Sequence, residues 1–450
     1  MSDTNRKRIH PYPEEWPFAL LMALQFFFAI GVFWILKPLK KTLFIKLYDH
    51  RMLDVWRFQF NAAQTELLAK NLNMGLALLA MVLFVILARK FRRHHLLNVI
   101  VVLLCCGIAT LMVMPVESVG FVWSFYIFGD LFNMLMLASF FAFLNDSVSR
   151  DQARRLMGTV VFGGVLGGAV GATATREFLS QLSLHQWLAI SLGVTLFIGL
   201  LAHIAARRIP VRSRLDDDEP TSQDSPLPFR KLIQSRYIVS IALIVGSYEM
   251  VSSLVDFQFT SAVSHYLNGD AIGAYFSSVY MTVNVVAMTV QLLFTGLVLT
   301  RLGITRALLV LPGALLLGSV AFLAVPILFF GALLCIFDNG LNYSINQSAR
   351  ESLYVLIRSE ARYRAKAYVD ILIHRTSKAL SVNLTLLLST ILSFRWLAIV
   401  SICLIVVWIS AARYAGKQFD NEESADPLWP PEKRKKRLLR KNRLFPIVPS

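Results

Sequence analysis

Runs of about 20 apolar residues recur along nearly the whole chain, and each is long enough to cross a hydrocarbon core as a helix. Inside lipid no water is present to bond backbone N–H and C=O groups. A spanning segment must satisfy them internally, and a run of this length does so as an α-helix. Six runs fall at about 17–37, 72–89, 96–114, 120–144, 156–176 and 187–206. Six more fall at about 237–258, 271–299, 305–324, 327–348, 368–392 and 395–414. The composition agrees, with 56% hydrophobic residues, only 16% charged ones and a mean hydropathy of +0.57. The expected fold class is an all-α membrane protein with twelve transmembrane helices.

The stretches between the runs set the domain plan: an N-terminal tail over 1–16, a six-helix bundle over 17–206, a linker over 207–236, a second six-helix bundle over 237–414, and a basic tail over 415–450. The linker carries Asp216, Asp217, Asp218 and Glu219 among Pro and Ser residues, the composition of a solvated connection. Basic residues follow the even-numbered runs: Arg89, Lys90, Arg92 and Arg93, then Arg150, Arg154 and Arg155, then the linker, then Arg301 and Arg306. Arg350, Arg358, Arg362, Arg364 and Lys366 continue the series, while the loops near 115–119, 259–272 and 325–328 hold no Lys or Arg. The positive-inside rule then places both termini in the cytoplasm, and the expected location is the cell inner membrane. Arg176 and Arg395 are isolated exceptions.

A net charge of +17 invites a nucleic-acid reading, but its distribution points elsewhere. The densest run, Lys433 to Arg443, lies in the tail, where a basic stretch beside a membrane meets anionic lipid head groups. No nucleic-acid partner is expected. Cys105, Cys106, Cys335 and Cys403 all lie within apolar runs, so neither a disulfide framework nor a metal site is indicated. The first apolar run has no small-residue cleavage site after it and reads as a membrane helix.

Lys37, Lys40, Lys41, Lys46, Arg51 and Arg57 follow the first run on the outer side, against the charge rule. Two readings stand. The helix end snorkels and is followed by an amphipathic surface helix, or the first helix continues and presents Lys37 and Lys40, which share a face, to an anion. Other ionisable residues lie inside the runs: Asp130 and Asp338 in the fourth and tenth, Glu249 and Asp256 seven apart on the seventh, and Arg375 and Lys378 on the eleventh. Such groups are costly in lipid and normally face a bundle interior or a water-filled cavity. Lys37, Lys40, Arg375 and Lys378 are the candidate cations for phosphate or carboxylate oxygens, with Asp130, Asp256 and Asp338 as their counter-charges in the empty state. No catalytic motif accompanies them, so an enzyme is not expected. Gly163, Gly164, Gly167, Gly168 and Gly171, at small-xxx-small spacing, are expected to allow close helix packing.

The halves resemble each other. Ile127–Asn133 (IFGDLFN) and Ile336–Asn342 (IFDNGLN) align, each opening the fourth run of its half. Two six-helix halves related by a repeat and joined by a long linker form the major-facilitator architecture, whose substrate site lies near the bilayer midplane between the halves.

The stretch from Tyr343 to Ser381 is the most specific. Its YSINQSARESLYV, RAKAYVD and RTSKA segments resemble the ATP:ADP antiporter family, the nucleotide transporters of plastids and obligate intracellular bacteria. There the pattern is approximately YSxFDxTKExxYIPL, GKAxID and GKSGG. Tyr343 to Tyr354 fits without a gap, Lys366 and Ala367 match the middle pair, Asp370 the acidic position and Lys378 the last lysine. LKPLKKTL (Leu36–Leu43) is similar to the first-helix pattern LRxxKDxL, with Lys37 and Lys40 at its basic positions. SSLVDFQFT (Ser252–Thr260) resembles NLVEVxWK, with Asp256 on its acid, and FAFLNDSVSRDQARRLMG resembles the segment joining the fourth and fifth helices. The family's pattern is broken at Lys41, Thr260, Gln347, Ser377, Ala379 and Leu380, which alters the charge balance expected for strict ATP/ADP exchange. The resemblance implies a secondary transporter of an anionic, phosphorylated solute such as ATP or ADP. It would work by alternating access, as an exchanger, without a cofactor and as a monomer. The same fold could carry another organic anion or a lipid-linked phosphate; a membrane-embedded enzyme or sensor is the remaining alternative.

Overall fold

A computed structural model describes residues 12–49, 51–91, 93–148, 150–208, 235–298, 301, 303–357, 365–366 and 368–420. The N-terminal tail before residue 12, most of the expected linker, the loop residues Arg358, Arg362 and Arg364, and the basic run Lys433–Arg443 lie outside the described residues, as does the side chain of Asp370.

The described residues are organised as helices: α1 (Trp16–Leu47), α2 (Ala62–Lys90), α3 (Arg93–Val113), α4 (Val119–Ser147), α5 (Arg150–Phe178) and α6 (Leu184–Ala206), then α7 (Arg236–Tyr266), α8 (Asp270–Thr289), α9 (Gly303–Ala324), α10 (Leu328–Leu341), α11 (His374–Ser389) and α12 (Leu397–Asp420). Eleven helices among the described residues have the length and apolarity to cross a membrane. The remaining expected span, over 368–392, is built from a π-helical turn, Tyr368–Ile373, running into α11. Its ionisable residues make it too polar to qualify by composition.

Starts and stops follow local chemistry. Asn61 caps α2 through a reciprocal box, accepting from the Gln64 N–H at 2.9 Å and donating its own N–H to Gln64 Oε1 at 3.0 Å. Ser183 and Gln186 do the same for α6. The two isolated arginines, Arg395 and Arg176, are both used locally. Arg395 donates to the Leu323 carbonyl at 2.7 Å and the Ala324 carbonyl at 3.3 Å, satisfying carbonyls that the end of α9 leaves open. Arg176 donates to Ser278 Oγ at 2.6 Å.

The stretch after α1 bears on the two readings of the basic residues that follow the first run. The helix continues through Lys37, Lys40 and Lys41 to Leu47, and no amphipathic surface helix follows. Instead, strands β1 (Leu53–Val55) and β2 (Phe58–Phe60) pair antiparallel, with Val55 opposite Phe58. The two-residue turn between them puts Trp56 at φ 60°, a conformation unusual for a bulky side chain. β-Branched and aromatic residues at alternating positions outweigh the helical charge spacing here.

The chain forms two compact units, Met1–Thr221 with Val263–Met288, and Ser222–Ala262 with Thr289–Ser450. In the first, Phe18, Met22, Leu97, Phe140, Phe143 and Leu156 make an aromatic-rich core, with Phe26 stacked on Phe140 at 4.8 Å. α1 packs most extensively on α5, as the glycine spacing requires. A Cβ at Gly163 or Gly167 would strike the α1 carbonyls of Ala23 and Phe27, and one at Gly171 would meet Gly31. In the second unit α9 packs on α12, and the core gathers Ile241, Tyr248, Leu311, Leu334 and Trp408.

Where α1 begins, Glu15 is buried against α5. Arg155 donates to its carboxylate through Nη2 at 2.5 Å and Nε at 3.1 Å, and the Tyr12 N–H adds a third bond at 3.0 Å. Burial pushes this carboxyl up, but the Arg155 hydrogen bond, the Tyr12 N–H and the guanidinium charge together outweigh it and hold it below the ordinary value of 4.5. A depressed carboxylate contributes stability that is complete above its unfolded value and is lost as pH falls through its folded one. Glu15→Gln is therefore expected to cost about 2 kcal/mol at pH 7. In thermal unfolding of detergent-purified protein, the gap from wild type closes only at pH values below the ordinary carboxylate range.

Candidate functional site

The charged interior of the first unit is built on α1, α2 and α4. Lys37, Lys40 and Lys41 lie three and one residues apart on α1. Glu66, Lys70 and Asn73 follow at helical spacing on α2, and Tyr126 and Asp130 stand one turn apart on α4. Pro38 lies between the lysines and deprives the Trp34 carbonyl of its helical partner. Lys40, Lys41, Glu66 and Asn73 are all buried.

Two carboxylates organise the lysines. Asp130 pairs with the Lys40 ammonium through one oxygen and accepts from Asn73 Nδ2 at 2.5 Å through the other. Glu66 Oε1 lies 3.4 Å from Lys41 Nζ and 3.4 Å from Lys70 Nζ, and accepts the Tyr126 hydroxyl at 2.8 Å. Tyr126 joins the two knots, because the Lys40 ammonium also sits over its ring at 4.7 Å and reaches its carbonyl at 3.5 Å. Gly129 makes room for that lysine; a Cβ there would lie 2.7 Å from Lys40 Cδ. Lys37 is held by rings, with its ammonium 4.4 Å from the centre of Trp34, 4.8 Å from Tyr280 and 5.7 Å from Phe33. Lys41 lies over Phe276 at 5.4 Å.

These residues bring four ammonium groups and two carboxylates together, with Lys40, Lys41 and Glu66 buried and Lys70 and Asp130 partly exposed. An ammonium or carboxylate is expensive to bury alone, so each pairing here offsets a desolvation cost of several kcal/mol.

The second unit carries its own set. Asp338 on α10 is buried and accepts from Ser252 Oγ of α7 at 2.7 Å. Glu249 Oε1 on α7 is 3.1 Å from His374 Nε2. α11 lies close against α7, where Ser381 Oγ donates to the Met250 carbonyl at 2.9 Å and a Cβ on Gly246 would meet Ser377 Oγ. Asp256 is half-buried, and its carbonyl accepts the Thr260 hydroxyl at 2.8 Å. Arg375 and Lys378 are exposed and make no ion pair among the described residues. Two π-helical turns flank these groups, Asn342–Asn346 after α10 and Tyr368–Ile373 before α11, an irregularity often found at functional sites.

The first unit thus brings Lys37, Lys40 and Asp130 into one network, whereas Asp256, Asp338, Arg375 and Lys378 belong to the second unit. Sequence reasoning did not select Glu66, Lys70, Asn73 or Tyr126. For the three on α2 the signal was a polar i, i+4, i+7 series, Glu66, Lys70 and Asn73, straddling the start of the apolar run assigned to residues 72–89; α2 in fact begins ten residues earlier.

Comparison with known proteins follows the geometry. The family described as Major Facilitator Superfamily matches residues 18–368, and the one described as TLC ATP/ADP transporter matches residues 323–419. The ADP,ATP carrier protein 2 of Chlamydia pneumoniae is 26% identical over 42% of this chain and 40% of its own length. The chloroplastic ADP,ATP carrier protein 1 of Arabidopsis thaliana is 23% identical over 68% of this chain and 56% of its own. The chain therefore spans about half the length of these relatives. Among solved structures, the inward open conformation of the xylose transporter XylE from E. coli aligns with a TM-score of 0.58 at 12% identity, covering 89% of this chain and 95% of that one. The nucleoside transporter NupG aligns with a TM-score of 0.57 at 12% identity, covering 88% and 99%. At this identity the likeness establishes the fold, and it is the twelve-helix fold expected from the hydropathy pattern.

Removing Glu66 leaves buried Lys41 and half-buried Lys70 without their shared carboxylate, a change in the class that costs about 3–5 kcal/mol. Glu66→Gln, which keeps the shape and loses the charge, is expected to lower the midpoint of thermal unfolding sharply. Gly129→Val is expected to displace Lys40 and to weaken anion binding more than it lowers that midpoint. A Gly129→Val protein with unaltered binding would disconnect Lys40 from the anion.

Proposed function

This chain belongs to the Major Facilitator Superfamily, and on that premise we propose that it is a secondary transporter of nucleotides such as ATP and ADP, working by alternating access and by exchange. The observation that carries the reading is the gathering of Lys37, Lys40, Lys41 and Lys70 on two facing helices of the first unit, in a chain similar to proteins named ADP,ATP carriers. A nucleotide's phosphates offer several charged acceptor oxygens to such ammonium groups.

In this reading Lys40 leaves Asp130 for a phosphate oxygen when substrate arrives, and Asp130 keeps Asn73 as its partner. Lys37 supplies a second cation and Glu66 holds Lys41 and Lys70 in place. In the second unit Arg375 and Lys378 serve as phosphate contacts, with Asp256 and Asp338 as counter-charges. A carrier whose empty form must re-form these pairs before reorienting returns more readily loaded, which gives exchange. The proposal keeps the six-plus-six helix division, an inner-membrane location and cytoplasmic termini; its lipid contact is anionic lipid at the basic tail.

Proteoliposomes preloaded with ADP are expected to take up labelled ATP, and external ADP to compete. Lys40→Ala and Lys378→Ala each remove a charge-assisted bond worth about 1.5–3 kcal/mol, so each is expected to weaken half-saturation by about 10- to 100-fold. Uptake of labelled anions without nucleotide competition would overturn the cargo assignment. Undiminished flux in Lys378→Ala would remove that residue from the site.

A further inference from the structure

Where α7 begins and α12 ends, the two helices leave an open groove of about 420 Å³ in the surface of the second unit. That volume lies within the range of ligand-sized pockets, about 300–1,000 Å³. Small residues, Ser240 on α7 and Ser410 and Ala411 on α12, make the space. The two hydroxyls are already engaged, Ser240 donating to the Tyr237 carbonyl at 2.7 Å and Ser410 to the Val406 carbonyl at 2.8 Å. Leu243, Val406 and Val407 line the part farther from the helix ends and are 46%, 53% and 47% exposed. On a membrane span, exposed aliphatic side chains of this kind face acyl chains. The end of the groove nearer the helix termini is polar. Arg236, the first residue of α7, and Tyr414 line it, and Lys417 follows Tyr414 by one helical turn on the same face. Arg236 and Lys417 are exposed, and neither makes an ion pair among the described residues. Along its length the groove therefore passes from hydrocarbon to cation, the order of acyl chain and phosphate in a phospholipid.

We infer that this groove is a binding site for an anionic phospholipid, with one acyl chain lying along Leu243, Val406 and Val407 and the phosphate held by Arg236 and Lys417. The guanidinium fork of Arg236 suits two phosphate oxygens at once, and the Lys417 ammonium adds a compact second charge. Tyr414 stands between them and the apolar part, where a ring with one polar tip fits the boundary between head group and hydrocarbon. Basic pockets between spans on the cytoplasmic side select anionic head groups, and in the orientation proposed above the start of α7 and the end of α12 lie on that side. A long basic side chain that merely snorkels needs no space beneath it. Here Ser240, Ser410 and Ala411 open a seat directly below the cations. Selectivity follows from charge. A phosphatidylcholine head group brings its own quaternary ammonium, which offsets its phosphate and opposes Arg236 and Lys417, whereas phosphatidylglycerol presents the phosphate charge alone. The inference does not depend on which solute is transported.

The test uses the full chain in phosphatidylcholine proteoliposomes containing a small fraction of phosphatidylglycerol with a photoreactive diazirine on one acyl chain. Irradiation is expected to attach this lipid to the peptides carrying Leu243, Val406 and Val407. Unlabelled phosphatidylglycerol is expected to compete, and inorganic phosphate is not. Arg236→Ala combined with Lys417→Ala removes the charges, and Ser410→Phe fills the groove; each is expected to cut labelling of these peptides about tenfold. The basic tail is the same in every variant, so its attraction for anionic lipid cancels in the comparison. The midpoint of thermal unfolding reports folding, and the double variant, confined to two exposed side chains, carries the test if Ser410→Phe does not fold. Labelling just as strong with a diazirine phosphatidylcholine, or unchanged in the folded double variant, would overturn the inference and leave an ordinary lipid-facing surface. Displacement of the lipid by inorganic phosphate would overturn it as well, in favour of a site for free anions.

Discussion

A lysine ammonium carried into a membrane span must find compensation there, and in the first unit two carboxylates supply much of it. Glu66 answers Lys41, Lys70 and the Tyr126 hydroxyl, and Asp130 answers Lys40 and Asn73. The approach of α1, α2 and α4 to one another depends on those contacts, because separating the helices would leave charges in a medium that solvates them poorly. Tyr126 ties the two centres together and Gly129 supplies the space they need. An interior arranged this way is held together by the same charges it would use to take up an anion.

The helix scaffold makes that arrangement precise. α1 is held along α5 by contacts in which glycine backbones meet α1 carbonyls directly, leaving little freedom for α1 to roll and displace its lysines. Pro38 interrupts the hydrogen-bond ladder between Trp34 and the lysine triplet, and Trp34 and Tyr280 turn their ring faces to Lys37. In the second unit the π-helical turns serve the same end by different means. They break the α-helical repeat beside Asp338 and His374, in a span whose polarity disqualifies it as a simple membrane anchor.

Much of this was legible in the residues. The number and position of the apolar runs set the fold class, because backbone satisfaction in lipid admits few alternatives to helices. The motif order from Tyr343 to Lys378 pointed to the nucleotide transporters, and a match over residues 323–419 agrees with it. Charge spacing left two readings open after α1: the first helix does continue past Lys37 and Lys40, and where the other reading put a surface helix the chain makes a hairpin. Glu66 and Lys70 escaped notice because their helix starts before its apolar run, so they looked like loop residues.

What the sequence by itself determined is therefore the architecture and the inventory of costly charges: twelve membrane helices, with Lys37, Lys40, Asp130, Asp256, Asp338, Arg375 and Lys378 placed within them or at their ends. Local periodicity and the length of an apolar run fix such properties without reference to any distant residue. Only the tertiary structure decided the partnerships. Lys40 and Asp130 are 90 positions apart, Tyr126 and Glu66 60 apart, and Glu249 meets His374 across two separate helices. Pairing energy depends on distance and on the medium between charges, and both are set by helix packing rather than by chain order.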